Sequence, residues 1–251
     1  MAQIEVSAEK SLSTSERLGA KRLDLWGRWF YFCMSLLVAV VVALGFSRTV
    51  GPRLIHPPSP PPTILYFHAV LFSGWVTFFI AQSALVRARN VNVHRKLGLF
   101  GLALGIAIPI VGITTAIVMT RFRIHEGVTD AAAFMIVPFF DILAFSATFG
   151  LAFYWRTRPE FHRRLMLMAT CALTAAAFGR LVPHVWFYAG VDVLILLAVV
   201  RDLVVTKRVH PVYLYCLPPM MLGQIGAVST VATNWSGWLK VAHALLDAHF
   251  L

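Results

Sequence analysis

Three polar or aromatic residues, His68, Trp75 and Gln82, recur every seven residues in one apolar run, residues 64–86. At 3.6 residues per turn, their side chains lie nearly above one another on one helical face. Histidine and glutamine are costly in contact with lipid, so we expect this face to point towards other helices. It either binds a ligand or only contacts its neighbours. His68 is the member most informative to mutate, and Gln82 is expected to be structural.

Ionisable residues also occur deep inside later apolar runs: Asp141, Arg180 and Asp192. A charge at such a depth costs several kcal/mol unless it is paired or hydrated. Arg180 is the only deep cation, so one interpretation is a structural ion pair with Asp141 or Asp192. The other is a polar cavity that opens to the outer face. Since two acids face one arginine, one carboxylate remains to be protonated, to bind His68 or to serve a ligand.

His68 and His184 permit a bis-histidine haem b site in the outer half of the protein. Such a site needs two histidines at one depth on facing helices, and small residues that admit the macrocycle. Glycines at one face of the following run supply such residues: Gly98, Gly101, Gly105 and Gly112. The alternatives are that His68 only bonds a carboxylate or a carbonyl, and that the glycines only allow close helix packing.

A second group of histidines lies beside arginines where later apolar runs begin: His94, His162 and His210. One interpretation is anchoring at the membrane interface and contact with anionic lipid. The other is a second haem or quinone site near the inner face that uses His94 and His162. The adjacent arginines would suit anionic groups such as haem propionates.

A metal-dependent intramembrane hydrolase is a further possibility, with His68, His184, Asp141 and Asp192 as zinc or iron ligands. It requires three convergent ligands and a bound water, and no HxxxH pair marks such a site. The sequence assigns no catalytic residue and no metal site. The three cysteines, Cys33, Cys171 and Cys216, all lie in apolar runs, which predicts buried, unpaired thiols.

The composition identifies the class of protein that positions these residues. The chain of 251 residues is 59% hydrophobic and only 13% charged, with a mean hydropathy of +0.74. A soluble domain carries about 25% charged residues. The net charge of +11 comes from basic residues beside apolar runs, so it indicates membrane orientation and not nucleic-acid binding.

The sequence predicts an all-α, polytopic bundle of seven transmembrane helices with the N-terminus inside and the C-terminus outside. Residues 1–25 are predicted to form a polar cytoplasmic tail, 26–233 the membrane domain and 234–251 an interfacial amphipathic tail. Loops assigned to the inner side carry most of the lysine and arginine, as the positive-inside rule requires. The predicted spans are 26–46, 64–86, 97–120, 131–155, 165–182, 185–205 and 212–232.

Two resemblances follow from particular strings. Four short sequences resemble those of a family of bacterial multi-spanning inner-membrane proteins. They are His94-Arg-Lys-Leu-Gly, Asp141-Ile-Leu-Ala-Phe, Phe161-His-Arg-Arg-Leu-Met and Gly179-Arg180-Leu. That family has no established activity. The resemblance implies a multi-pass protein of the bacterial inner membrane. In addition, His68 followed by an apolar run, Ala84-Leu-Val-Arg87 and then His94 is similar to part of cytochrome b561. That family binds two haems b through histidine pairs and moves electrons across the membrane.

We therefore expect a membrane redox protein that binds haem b or a quinone, with an outer site around His68 and His184. The alternatives are a non-redox protein, such as a small-molecule or lipid transporter or an assembly factor whose polar cluster is structural, and the metal-dependent hydrolase. A rhodopsin-like function is excluded because residues 212–232 contain no lysine for a retinal Schiff base. The lipid bilayer is the one partner that the sequence implies directly.

Overall fold

The regular structure of this protein is helical. The computed structural model describes residues 14–183 and 186–247, and no strand occurs among them. A short π-helical segment, Gly51–Ile55, precedes the proline-rich stretch 56–62, which is free of helix as its prolines predict. The α-helices are α1 (Thr14–Ser47), α2 (Ile64–Arg87), α3 (Val91–His125), α4 (Ala131–Phe134), α5 (Ile136–Tyr154), α6 (Pro159–Ala172), α7 (Ala175–Leu181), α8 (Phe187–Thr206), α9 (Pro211–Thr233) and α10 (Ser236–Asp247).

Several of these helices are long and apolar enough to cross a bilayer, which indicates a multi-pass membrane protein. Five candidate spans occur in the described residues, within α1, α2, α3, α4 with α5, and α9. A sixth arises if α6 and α7 form one span, since they are joined by a bend of 45°. Helix α8 covers the sixth predicted segment, but it contains Asp192, Arg201 and Asp202 and is not among these candidates.

Helix boundaries follow local signals. The Asn90 side chain accepts a hydrogen bond from the Val93 N–H and caps α3. Proline occupies the first turn of α6 and of α9, where no backbone donor is needed. The bounds of α2 and α9 agree to within one residue with the predicted spans 64–86 and 212–232. In contrast, α1 begins at Thr14, so a helix already occupies the second half of the predicted polar tail 1–25.

The bundle interior has an aromatic centre between α2, α3 and α5. Trp75 is buried there, and its ring meets Phe145 and Phe149 edge to face, with centroids 5.2 and 5.7 Å away. The predicted glycine face of α3 packs against it. A Cβ at Gly105 would overlap the Phe149 ring, and one at Gly112 would overlap Ile142. Side chains of this protein thus fill most of the space that the glycines provide.

Helix α10 is held beneath the α3–α4 junction. The Trp238 Nε1 donates to the Ala132 carbonyl at 3.1 Å, and Arg121 donates to the carbonyls of Leu245 and Leu246. The amphipathic helix predicted in 234–251 is thus present, and Arg121 hydrogen-bonds carbonyls of its last turn.

The cysteines are free thiols, as predicted. Cys171 is buried, Cys216 is partly buried and Cys33 is exposed on α1. The prediction that all three are buried was therefore wrong for Cys33.

Candidate functional site

Two of the predicted site histidines come together at one end of the bundle. His94 lies in the first turn of α3 and His162 in the first turn of α6. Their ring centroids are 6.2 Å apart, and the rings are inclined at 77°. Residues 68 positions apart in the chain thus share one location because α3 and α6 both begin on this side. The proposed use of His94 and His162 as one pair is compatible with this arrangement.

The hydrogen bonds around the pair constrain its chemistry. The His162 Nδ1 lies 2.9 Å from the Ala152 carbonyl oxygen. Because a carbonyl can only accept, Nδ1 carries the proton and Nε2 is the basic nitrogen. The Nδ1 of His94 is buried without a hydrogen-bond partner in the described residues. At Gly98, one turn beyond His94, an added Cβ would meet nothing within 4 Å.

Gln82 contacts the His94–His162 pair through the His94 backbone. Its Nε2 donates to the His94 carbonyl at 3.4 Å and so ties the end of α2 to the start of α3. Its Oε1 is buried and lacks a partner within the described chain. The hydrogen bond to the His94 carbonyl is compatible with the expected structural role of Gln82. The Oε1 of Gln82 remains a buried acceptor without a donor in the described residues.

His68 has a different environment on the same helix. Its ring stacks on Phe72 with centroids 4.0 Å apart, and its Nδ1 is buried without a partner in the described part. His184, the expected second ligand of an outer haem, lies outside the described residues. The outer pair therefore stays a prediction.

Arg180 does not form the predicted ion pair with Asp141 or Asp192. Its Nη1 donates to the Ala176 carbonyl at 2.5 Å, its Nε lies 3.3 Å from the Thr49 hydroxyl, and its guanidinium covers the Phe46 ring. The bend between α6 and α7 accounts for this, since α7 packs on α1 and directs Arg180 towards that helix. Of the two interpretations of Arg180, the structural ion pair is therefore wrong, whereas the polar cavity that opens to the outer face stays a prediction.

The two deep aspartates have neutral partners instead. Asp141 accepts a hydrogen bond from the Tyr188 hydroxyl at 2.9 Å, and Asp192 accepts one from the Gln224 Nε2 at 3.0 Å. Tyr188, Asp192 and Gln224 also line a groove of about 220 Å³ between α8 and α9. The predicted polar cluster is thus divided: Asp192 lines the groove, Asp141 bonds Tyr188, and Arg180 and Gln82 each lie elsewhere.

A buried ionic network, which no sequence pattern predicts, lies at the end of the bundle that carries His162. Arg164 on α6 and Asp202 on α8 are 1% and 0% exposed. They form a bidentate pair, with Nε to Oδ2 at 2.7 Å and Nη2 to Oδ1 at 2.8 Å. Arg201 also donates to Asp202 Oδ1 at 3.0 Å. In the sequence, Arg164 and Arg201 belong to the basic residues that the positive-inside rule assigns to the predicted inner loops.

Glu160 completes this network at its rim. Its half-exposed carboxylate accepts from Arg163 at 2.5 Å and from Arg164 at 2.6 Å. The spacing of Glu160 and Arg164 is that of an i, i+4 pair, which was the available signal in the sequence. His210 lies close by, and burial together with the Arg164 charge lowers the pKa of its imidazole. Its Nδ1 accepts from the Val212 N–H, so the neutral form suits the cap of α9.

No group of three or more histidine, cysteine, aspartate or glutamate side chains within residues 14–183 and 186–247 is arranged to hold a metal ion. Of the ligands proposed for a hydrolase, Asp141 and Asp192 have the partners given above, and His184 is outside the described chain.

The fold and these contacts define an all-helical, multi-pass membrane protein with a histidine pair and a buried ionic network. No protein-family model, curated protein or solved structure matches the chain.

Proposed function

We propose that this chain is a membrane redox protein that binds haem b through His94 and His162. The observation that carries the proposal is the approach of the two rings from different helices, with centroids 6.2 Å apart. A metal–imidazole bond is about 2 Å long, so two imidazoles on one iron have their centroids about 6 Å apart. The observed separation agrees with that requirement.

The surroundings of both rings support the same assignment. The bond from His162 Nδ1 to the Ala152 carbonyl would orient the ring and leave Nε2 for iron, as outer hydrogen bonds do for metal-bound histidines. The open space at Gly98 adjoins the turn of α3 that carries His94. When bound, the haem would supply reversible one-electron transfer.

We also propose the finer topology of seven spans, with the N-terminus inside. The six candidates together with α8 make this number, and the charges of α8 support a span whose polar residues face the bundle. The starts of α3 and α6 carry arginines and would lie on the inner side. We place the protein in a bacterial inner membrane on the resemblance of its His94, Asp141, Phe161 and Gly179 strings.

The visible spectrum of the purified protein from haem-replete cells tests the haem assignment. We expect a Soret band in the wild type that is lost in both His94→Ala and His162→Ala. His125→Ala is the matched control, since His125 is exposed at the far end of α3, and it should keep the band. Colourless wild-type protein, or a band that survives both substitutions, would overturn the proposal. A quinone recovered by solvent extraction from colourless protein would instead favour a quinone site.

The groove between α8 and α9 favours a second candidate function, binding of a small polar molecule by a non-redox transporter. Its wall combines the Asp192 carboxylate, the Gln224 amide and the Ser229 side chain in a largely apolar surrounding. A thermal-shift screen of small amines and polyols would test it. Stabilisation that is lost in Asp192→Asn and kept in Asp247→Asn would support binding in this groove, as a transporter requires, whereas equal responses would exclude the groove as the binding site.

A further inference from the structure

A cluster of buried hydrogen-bond donors without acceptors lies beside the Arg164–Asp202 pair. Tyr213 and Arg201 are only 2% and 4% exposed. The Tyr213 hydroxyl, the Tyr31 hydroxyl, the Arg201 Nε and the Arg163 Nε are all buried and lack partners among the described side chains. Leaving such groups without a hydrogen-bond partner destabilises the folded state. Their coincidence at one location indicates that an acceptor belongs there.

These donors converge from four helices. Tyr31 of α1 lies between two guanidinium groups, with the Arg163 Cζ 5.3 Å and the Arg201 Cζ 5.7 Å from its ring centroid. Tyr213 of α9 reaches Tyr31 closely enough for one hydroxyl to donate to the other, which still leaves the second hydroxyl proton without an acceptor. Arg201 lies against Gly27, where an added Cβ would stand 3.2 Å from its Nη2, so α1 approaches this guanidinium closely.

The local charge favours an anion. Among the described side chains, Arg163, Arg164 and Arg201 face only two carboxylates, Asp202 and Glu160. Asp202 accepts from Arg164 on both oxygens and from Arg201 on one, so its capacity is largely used. One positive charge remains without a counterion. The partly exposed Arg163 and Glu160 side chains, 34% and 55% accessible, mark the side from which a ligand reaches the cluster.

We propose that this cluster binds a phosphate group, held by Arg163, Arg201, Tyr31 and Tyr213. A phosphate offers several acceptor oxygens and a negative charge, which match this group of donors and one unpaired cation. The phosphate belongs either to an anionic phospholipid headgroup or to a soluble anion. Clusters of arginine at the inner face of a membrane attract anionic headgroups. The proposal does not depend on a haem at His94 and His162.

Thermal unfolding of the purified full chain tests the site with two defined probes. The first is phosphatidylglycerol in mixed micelles, compared with phosphatidylcholine, and the second is inorganic phosphate, compared with chloride at equal ionic strength. We expect a rise in the Tm with one of them. A response to phosphatidylglycerol alone assigns a lipid headgroup, and a response to inorganic phosphate assigns a soluble anion.

Variants that remove only hydroxyl groups show whether the site is the one described. In Tyr31→Phe and Tyr213→Phe the concentration needed for half of the Tm rise should increase about tenfold. Tyr215→Phe is the control, since Tyr215 is on the same helix and 77% exposed. Arg163→Gln, at the rim, should also weaken binding. If neither probe raises the Tm, or if the probe concentration at half of the Tm rise is the same in all variants, the proposal is overturned. In that case water molecules accept the hydrogen bonds of these donors.

Discussion

Arg164 and Asp202 form a bidentate ion pair that joins α6 to α8, and both side chains are buried. The pair connects the helix that carries His162 to the helix that carries Asp192. Arg201 and Glu160 extend it on either side. It is the most enclosed ionic contact in the described residues, and it joins the start of α6 to the last turns of α8.

The first prediction concerns this pair. Arg164→Met or Asp202→Asn alone should lower the free energy of unfolding by about 3–5 kcal/mol, because each leaves a buried polar partner uncompensated. The double variant Arg164→Met/Asp202→Leu should recover part of that loss, since neither member of the pair then stays buried without the other, while Arg201 still loses its contact with Asp202. Denaturant unfolding in detergent measures all three. A double variant no more stable than the worse single one would show that the two residues act separately.

The second prediction concerns Tyr188 and Arg180. Tyr188→Phe should lower the free energy of unfolding by about 1–3 kcal/mol, because Asp141 loses the hydroxyl that bonds it. Arg180→Ala should change it by less than about 1 kcal/mol, because Arg180 is exposed and forms no ion pair in the described chain. Tyr154→Phe serves as the control, since Tyr154 is 72% exposed. A larger loss in Arg180→Ala than in Tyr188→Phe would contradict the observed pairing.

The third prediction separates the glycines by their surroundings. Gly45→Ala should destabilise the protein by about 1–3 kcal/mol, because its Cβ would stand 2.6 Å from the backbone oxygen of Ala177 and neither helix can give way. Gly98→Ala should be neutral or stabilising by up to about 1 kcal/mol, because it meets open space and alanine favours the helix. Thermal unfolding compares them. If haem occupies the space beside Gly98, Gly98→Ala should also weaken the Soret band.

The fourth prediction is a pH dependence from His210. Its folded-state pKa is lowered from the usual 6.5 by burial and by the Arg164 charge, with Arg163, Glu160 and Asp202 also nearby. The contribution to stability is therefore complete above about pH 6.5 and is lost as the pH falls towards the lower folded value. His210→Asn keeps a capping acceptor without titrating in this range. The Tm of this variant should fall less than that of the wild type between pH 7.5 and 5.5. If the Tm of both proteins falls equally with pH, His210 is not the cause of the pH dependence.

Part of this structure could be predicted from the sequence because it depends on local properties. Long apolar runs need helices to satisfy their backbone groups in lipid, and proline and asparagine mark where helices begin. The helices at 64–86, 97–120 and 212–232 follow from these signals. The inner pair His94–His162 was also an expected combination, since both residues stand at helix starts on one predicted side.

The choice of partners was decided only by tertiary structure. Arg180 is not paired with an aspartate because the break at residues 173 and 174 turns α7 towards α1. Such a bend depends on packing between helices. Arg164 looks like an ordinary loop charge in the sequence, yet one further turn of α6 places it beside Asp202. Composition and periodicity determined that this is a helical membrane protein. Which buried charges meet was determined by helix orientation, because pairing depends on distances of a few ångströms that no local pattern encodes.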